Sequence, residues 1–174
     1  MSQTVPPFAE LLARCRHSAV HLETRDVYGV PEEDEDFAAW RSGREYDLGD
    51  RSSWWNGFHD SVADAVSRGV TIRRARIVSE PVSEYIRYEH SCTPQNLAAG
   101  EKVRWLPRRL ASDLLIPGND FWLFDNDLIR YGLFSGDGAF VAHTLCDDPP
   151  VIKSVSEAFE GIWSRAIPHD RYTI

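Results

Sequence analysis

Arginine side chains gather in two short stretches of a chain that is acidic as a whole. Its 174 residues carry a formal net charge of −8 at pH 7. Six arginines make up the two clusters: Arg73, Arg74, Arg76, Arg104, Arg108 and Arg109. Guanidinium groups held close together repel one another, and they are costly to bury without carboxylates. We therefore expect the clusters to have anionic partners, which are either carboxylates of the same chain or an external anion.

The first cluster lies in a predicted strand. Successive side chains of a strand point to opposite faces, so Arg74 and Arg76 share one face and Arg73 lies on the other. An arginine that faces a packed layer needs a carboxylate. For Arg76 we predict an ion pair with Glu80 or Glu89, which follow in the chain. In this interpretation the arginines belong to an internal network that fixes a helix to the sheet.

The second cluster supports a different interpretation. Arg108 and Arg109 follow Pro107 in a predicted loop, which makes them the more exposed pair. With Arg104 they could form a cationic rim for a phosphate or an acidic peptide, because guanidinium groups bind such anions through paired hydrogen bonds.

The ends of the third and fourth predicted strands form the candidate binding site. If these strands are neighbours, as sequential strands often are, they bring cations, aromatic rings and carboxylates into one concavity. The candidate residues are Tyr85, Glu89, Arg104, Trp105, Arg108, Arg109, Asn119, Asp120 and Trp122. Such a site suits a small anionic or zwitterionic ligand, or a polar loop of a partner protein. The alternative is that the same residues only tie helix to sheet.

Catalytic and metal-binding signatures are not found in the sequence. The six histidines lack metal-ligand spacing, and the three cysteines are too far apart for a CxxC motif. The patterns GxSxG and GxxxxGKS or GxxxxGKT, typical of activated serines and phosphate loops, do not occur. We therefore predict no catalytic residues, no metal and no cofactor.

Length and composition indicate one domain. With 43% apolar residues, a chain of this size can form one buried core. We predict a single α/β domain over 1–174, with an N-terminal region at 1–53 and a core at 54–174. A pI near 5.2 argues against general binding to nucleic acid or anionic membranes. No apolar run approaches the roughly 20 residues of a membrane span, and we expect a cytoplasmic location.

Hydrophobic periodicity and turn residues divide the chain into helices and strands. Helices are predicted at 8–16, from the acidic run 32–36 through Trp40, at 54–68 with Ser52 or Ser53 as the cap, from Pro81, and at 151–166. Strands are predicted at 18–23, 70–78, 101–106, 121–124, 128–134 and 140–145. The sum is a mixed sheet of about six strands with helices packed on it.

Four segments, spread over nearly the whole chain, resemble an uncharacterised family of bacterial proteins. They are SEPVSEYIRYEH, NLAAGEKVRWLPRR, PGNDFWLFD and AFEGIWSRAIPH. Members of that family are frequently encoded beside helix-turn-helix regulators of the Xre type. The resemblance implies a domain of unknown function with a regulatory partner.

A second and weaker resemblance is to the phospholipase D-like fold. It rests on the order of elements along the chain, which is a helix, a glycine, a basic strand, further strands and a late helix. Active enzymes of that fold carry the pattern HxKxxxxD. Here the late strand reads His143-Thr144-Leu145-Cys146, without the lysine, and His90-Ser91-Cys92 also departs from the pattern. The resemblance therefore implies the fold without the phosphodiesterase chemistry.

These observations favour a non-enzymatic, cytoplasmic accessory or sensor protein that pairs with a helix-turn-helix transcription regulator. An acidic protein suits a basic DNA-binding partner, because opposite potentials speed the encounter. The alternative is an enzyme or binder acting on a phosphorylated small molecule or nucleotide. In that case the arginines would hold phosphate while His90 or His143 moves protons. Direct DNA binding is not expected, since nothing resembles a recognition helix.

Overall fold

A mixed β sheet forms the centre of the molecule in the computed structural model, which describes residues 5–174. Of the predicted region 1–53, residues 1–4 lie outside this range. Within the described residues the sheet has seven strands: β1 (Ser18–Glu23), β2 (Thr71–Val78), β3 (Lys102–Pro107), β4 (Asp120–Phe124), β5 (Leu128–Phe134), β6 (Phe140–Cys146) and β7 (Ile167–Pro168). Their order across the sheet is β6-β5-β4-β1-β2-β3-β7.

Strand direction changes from the centre of the sheet to its edges. β1, β2 and β3 run parallel to one another. β4 is antiparallel to β1 and leads into the hairpins β4–β5 and β5–β6. The turn between β4 and β5 holds Asp125 and Asn126 at φ values of 51° and 54°. Tight hairpin turns require such positive φ angles, and Asn and Asp tolerate them better than most residues.

The carboxylate of Asp125 ties this hairpin turn to the start of β1. It accepts hydrogen bonds from the backbone N–H groups of Arg16, His17 and Ser18 at 2.8, 2.7 and 2.9 Å. Burial by itself would raise the pKa of Asp125, but these hydrogen bonds lower it below its ordinary value. The turn and the start of β1 are therefore joined by an ionised side chain.

Five α helices lie on the two faces of the sheet over residues 5–174. They are α1 (Phe8–Arg14), α2 (Asp34–Arg41), α3 (Gly57–Ser67), α4 (Glu84–Ala99) and α5 (Pro149–Arg165). On the first face, α1 and α3 bury Leu12 and Val62, while α4 buries Ile86 further along. α2 packs on α4, with the ring of Phe37 centred 5.2 Å from that of Tyr88.

The second face of the sheet is apolar and is covered by α5. This helix buries Phe159 and Ile162 against Leu22 and other aliphatic residues of the central strands. Arg73 lies on this face, where its Nη2 donates to Glu160 Oε1 at 2.6 Å. The prediction that Arg73 points away from Arg74 and Arg76 is confirmed.

The predicted α/β class with a mixed sheet is confirmed, and one strand was missed. β7 has two residues and pairs with β3 through Ile167 and Pro168. A strand of that length shows no alternation in the sequence. None of the helices in the described part of the chain is long and apolar enough to cross a lipid bilayer.

The predicted starts of two helices were wrong. α3 begins at Gly57, because Asn56 accepts hydrogen bonds from the N–H groups of Phe58 and His59. α4 begins at Glu84, where the hydroxyl of Ser83 accepts from the N–H of Ile86. In both cases the helix starts after a side chain that can satisfy a free backbone N–H. The segments before these caps, with Trp54 and Pro81, are not part of an α helix.

The packing of α5 predicts how much the free energy of unfolding falls when its buried Phe159 ring is removed. Phe159 is fully buried, so Phe159→Ala should destabilise the protein by about 3–5 kcal/mol. The measurement is urea unfolding followed by circular dichroism. Glu157→Ala, at an exposed position of the same helix, should stay within about 0.5 kcal/mol of the wild type. An unchanged midpoint for Phe159→Ala would show that α5 adds little to the core.

Candidate functional site

Charged side chains occupy the middle of the first sheet face. His21 and Glu23 of β1 stand beside Arg74 and Arg76 of β2 in the parallel register. On the other side of β1, Trp122 of β4 pairs with His21. On the far side of Trp122, its partner on β5 is Arg130. Because side chains alternate along each strand, these groups lie on one face.

Two of the three arginines on this face are paired with internal carboxylates. Arg74 donates from Nε to Glu101 at 3.1 Å and from Nη1 to Glu23 at 3.4 Å. Arg76 contacts Glu89 of α4 through Nη1, and its Nε lies 3.0 Å from Glu23. The contact between Arg76 Nε and Glu23 is an ion pair without a hydrogen bond, because its geometry does not meet that of a hydrogen bond. The predicted pairing of Arg76 with Glu89 is confirmed.

Glu23 holds its charge because of this network. Burial would raise the pKa of Glu23, but the adjacent guanidinium groups of Arg76 and Arg74 lower it to about 2. The carboxylate is therefore ionised at neutral pH, and its negative charge offsets two buried cations.

A cleft of about 560 Å³ opens beside the network, between the helices of the first face and the β5–β6 hairpin. Its lining combines aromatic rings, carboxylates, histidines and guanidinium groups. Its polar and aromatic groups include His21, Tyr28, Glu33, Asp120, Trp122, Arg130 and His143. Concave sites of this volume that mix apolar walls with a few polar groups are typical of small-molecule binding.

Arg130 differs from Arg74 and Arg76 because it has no carboxylate partner among the described residues. Its Nε is buried and makes no hydrogen bond. Burial lowers the pKa of Arg130, and no neighbouring carboxylate opposes that effect. Its guanidinium group is thus a half-buried cation on the wall of the cleft.

Two neutral histidines flank this cation. The His21 ring stacks on Trp122, with centroids 4.3 Å apart and planes 18° apart, and its Nδ1 is unpaired. Burial lowers the pKa of His21, and the positive charges of Arg74, Arg76 and Arg130 lower it further, against the effect of Glu23. Burial and Arg130 also lower the pKa of His143.

Carboxylates that lack a cation partner lie elsewhere on the cleft wall. Glu33 accepts a hydrogen bond from the hydroxyl of Tyr85 on α4. Asp120 accepts from the hydroxyl of Tyr28 and from the backbone N–H of Thr24, the latter at 2.9 Å. Burial raises the pKa of both Glu33 and Asp120. In the part of the chain that the structure describes, neither carboxylate forms a salt bridge with arginine or lysine.

A second hollow of about 590 Å³ adjoins the cleft. The two share Glu33, Phe58 and Arg74 in their walls. The second hollow is more polar, and Gln95 of α4 lines it with an Nε2 group that is buried and unpaired.

Four of the nine predicted site residues lie at these hollows. Tyr85, Asp120 and Trp122 line the cleft, and Glu89 lines the second hollow. The predicted concavity at the ends of the third and fourth strands does not exist, because β1 and β2 separate β3 from β4. The other five residues are elsewhere, since chain order did not match strand order.

Arg104 and Trp105 have structural contacts away from the cleft. Arg104 points to the second sheet face, where its guanidinium carbon lies 4.4 Å from the centre of the Trp163 ring. Trp105 is completely buried, and its Nε1 donates to Nδ1 of His169 at 3.1 Å.

Arg108 and Arg109 do not form an uncompensated rim. Arg108 donates to the backbone carbonyl oxygens of Thr24 and Ile77 and to the hydroxyl of Ser79. Arg109 pairs with Glu80, at 3.0 Å from Nε to Oε2. Asn119 is exposed in the turn before β4.

Arg130, His21 and Glu33 were not predicted from the sequence as residues of the site. The short turn between β4 and β5 is visible in the sequence. Counting residues outward from the turn along both strands places Arg130 opposite Trp122. That count could have identified Arg130 as a candidate. Its lack of a carboxylate partner could not be read from the sequence. No three His, Cys, Asp or Glu side chains of the described residues come together as a metal site.

The strand order and the helices on both sheet faces define an α/β domain with a mixed sheet and a charged cleft on one face. Its fold is similar to that of the phospholipase D family member Nuc from Salmonella typhimurium, with a TM-score of 0.51 and 11% identity over 92% of this chain and 86% of that one. NucT from Helicobacter pylori gives a TM-score of 0.51 and 10% identity over 92% and 87%. At this identity the likeness concerns the fold alone.

By sequence, the chain belongs to the family DUF6879, a domain of unknown function, which matches residues 6–174. The expected membership in an uncharacterised family and the expected phospholipase D-like fold are therefore confirmed. None of the curated proteins compared with the chain by sequence is significantly similar to it.

The low pKa of Glu23 predicts how stability depends on acid. Its pKa is about 2 in the folded protein and about 4.3 in an unfolded chain. Since the folded value is lower, Glu23 stabilises the fold above the unfolded pKa, and this contribution is lost as pH falls through the folded pKa. The difference corresponds to stabilisation on the order of 3 kcal/mol.

Urea unfolding between about pH 5 and pH 2 measures this contribution. The wild type should lose stability over that range, and Glu23→Gln should lose less. The exposed control Glu157→Gln should keep the wild-type slope. Parallel curves for wild type and Glu23→Gln would contradict the assignment.

Proposed function

We propose that the protein is a non-enzymatic sensor domain that binds a small organic acid in the cleft, with Arg130 as the group that receives the acid. The observation that carries this proposal is the unpaired guanidinium group of Arg130. Arg74 and Arg76, on the same sheet face, are both paired. A half-buried cation without a partner is costly, and a ligand carboxylate would lower that cost through two parallel hydrogen bonds.

The aromatic walls suit an apolar body on the same ligand. Trp122 lies beside Arg130 in the sheet register. Phe8, Phe58 and Phe134 also line the cleft. Apolar and aromatic walls bind a ligand by removing its surface from water, and a few polar groups then orient it.

The cleft supports binding better than phosphodiester chemistry. His143 and Leu145 both lie on β6 and, two residues apart, share a sheet face. Leu145 stands where the pattern of active phospholipase D-like enzymes has lysine. In the alternative function, an enzyme acting on a phosphorylated small molecule would have to use His143 without the lysine of that pattern.

Binding of aromatic acids tests the proposal. Phenylacetate and indole-3-acetate serve as probes, and phenylacetamide is the uncharged control. The wild type should bind the acids more tightly than the amide. Arg130→Met should weaken binding of the acids by about tenfold or more, because it removes a charge-assisted hydrogen bond. Isothermal titration calorimetry provides the affinities.

Arg41→Met, at an exposed position of α2, is the matched control and should bind the probes as the wild type does. Urea unfolding should show that Arg130→Met is still folded. Equal affinity for the acid and the amide, or no effect of Arg130→Met, would overturn the proposal. Hydrolysis of bis(para-nitrophenyl) phosphate that disappears in His143→Ala would support the enzymatic alternative instead.

We further propose that the sensor acts on a helix-turn-helix regulator. The net charge of −8 and the exposed carboxylates Asp34, Glu35 and Asp36 at the start of α2 support this partner. DNA-binding proteins carry a basic surface, and opposite charge speeds association.

Co-purification of the tagged protein from its host at moderate salt tests this pairing. A helix-turn-helix protein should be recovered with the wild type. Less of it should be recovered with the triple variant Asp34→Asn, Glu35→Gln, Asp36→Asn. Recovery without such a protein, or equal recovery with the triple variant, would count against the pairing through this surface.

A further inference from the structure

We infer that the ligand of the cleft is a zwitterion, with a carboxylate for Arg130 and a cationic group for Glu33 and Asp120. This inference rests on the proposed function and specifies the ligand class of the same site. It follows from three features of the cleft, which are the positions of its unpaired charges, the balance of buried charge and the aromatic groups beside the carboxylates.

The first feature is that the unpaired charges of opposite sign lie apart. Arg130 stands on β5, towards one edge of the sheet. Glu33 contacts Tyr85 of α4, the helix that also supplies Glu89 to Arg76 on β2. β1 and β4 lie between β2 and β5. The cleft therefore has a cationic end at Arg130 and an acidic end at Glu33.

Asp120 lies between the two ends, and Tyr28 connects it to the acidic end: the Tyr28 hydroxyl donates to Asp120, and the Tyr28 ring is centred 5.9 Å from that of Tyr85. Asp120 lies on β4 opposite Gly132 and is 5% exposed. Its hydrogen bonds come from the neutral groups of Thr24 and Tyr28. Like Glu33, it has no salt bridge in the described residues, and both carboxylates line the cleft.

The second feature is an excess of buried negative charge. On this sheet face, the described network and cleft contain five carboxylates and three guanidinium groups. The carboxylates are Glu23, Glu33, Glu89, Glu101 and Asp120. Three of them form salt bridges with Arg74 and Arg76, whereas Glu33 and Asp120 form none in the described residues. Burial raises the pKa of both, and for Glu33 the hydrogen bond from Tyr85 and the charges of Arg76 and Arg74 offset this only in part.

The third feature is the aromatic wall at the acidic end. The rings of Tyr28 and Tyr85 are centred 5.9 Å apart, and both residues line the cleft. Aromatic faces attract ammonium groups, and carboxylates beside them strengthen the attraction. This end therefore has the composition of a site for an organic cation.

A ligand with only one charge would satisfy half of this arrangement. A simple acid would pair with Arg130 but leave two buried carboxylates uncompensated. A simple amine would do the reverse and leave Arg130 unpaired. A molecule with both groups on one apolar body compensates both ends and contacts the aromatic walls between them. Amino acids whose carboxylate and ammonium flank a ring or an apolar stem belong to this class.

Three probes that share one ring test the inference by titration calorimetry. They are para-(aminomethyl)benzoate, which carries both charges, para-methylbenzoate, which carries only the carboxylate, and para-methylbenzylamine, which carries only the cation. We expect the first to bind about tenfold more tightly than either of the others. Glu33→Gln should reduce the affinity for para-(aminomethyl)benzoate more than that for para-methylbenzoate. Arg130→Met should reduce both.

A second carboxylate variant and a control variant test whether the effect of Glu33→Gln is specific to the cleft. Asp120→Asn should act as Glu33→Gln does, from a different part of the fold, and Glu157→Gln, at an exposed position of α5, should leave all affinities unchanged. Urea unfolding of each variant identifies any loss of folding. If para-methylbenzoate binds through Arg130 and the zwitterion binds no tighter, the inference is wrong while the proposed function stands. If no probe binds at millimolar concentration, both are overturned.

Discussion

The ion-pair network of Glu23, Arg74 and Arg76 is the constraint on which the first face of the molecule depends. It occupies the centre of a sheet face, where aliphatic side chains would otherwise pack against helices. Each arginine needs a carboxylate at hydrogen-bond distance, and these come from β1 and from residues in or next to α4. A buried pair is expensive to break because the remaining charge is stranded. The position of α4 on the sheet is therefore fixed electrostatically as well as by apolar packing.

The cleft follows from the same constraint. Charged groups in the middle of the face cannot be covered by apolar helix stripes, so α1 and α3 pack at one part of it and α4 at another. On one side, the space between them is bounded by side chains of the strands, among them His21, Trp122 and Arg130. Such groups are held by the sheet and by each other, which suits orientation of a ligand more than motion around it. The second face instead has a continuous apolar core under α5.

Helices and strands could be predicted from the sequence. The site could not, because it depends on which strands are neighbours in the sheet and which charges form ion pairs. The strands at 18–23 and 128–134 were predicted with their observed bounds because alternation and an Asn-Asp turn mark them. Opposite faces for Arg73 and Arg74 followed from the same alternation. The neighbours of β3 and β4 depended on crossovers that no local pattern encodes, and that error misplaced Arg104 and Arg108. Arg130 was missed because its distinction is the absence of a partner, which is a property of the folded surroundings.

The hydrogen bonds of Asp125 have a consequence for the entropy of ligand binding. They fasten the β4–β5 turn to the chain just before β1, and Arg130 and Trp122 lie on the two strands that the turn joins. This wall is therefore assembled before any ligand arrives, and ordering it adds nothing to the entropic cost of association. The opposite wall carries Glu33 in the short turn Pro31–Glu33, outside the sheet. For the proposed ligand, we therefore expect adaptation to molecules of different length on the side of Glu33, with the side of Arg130 fixed.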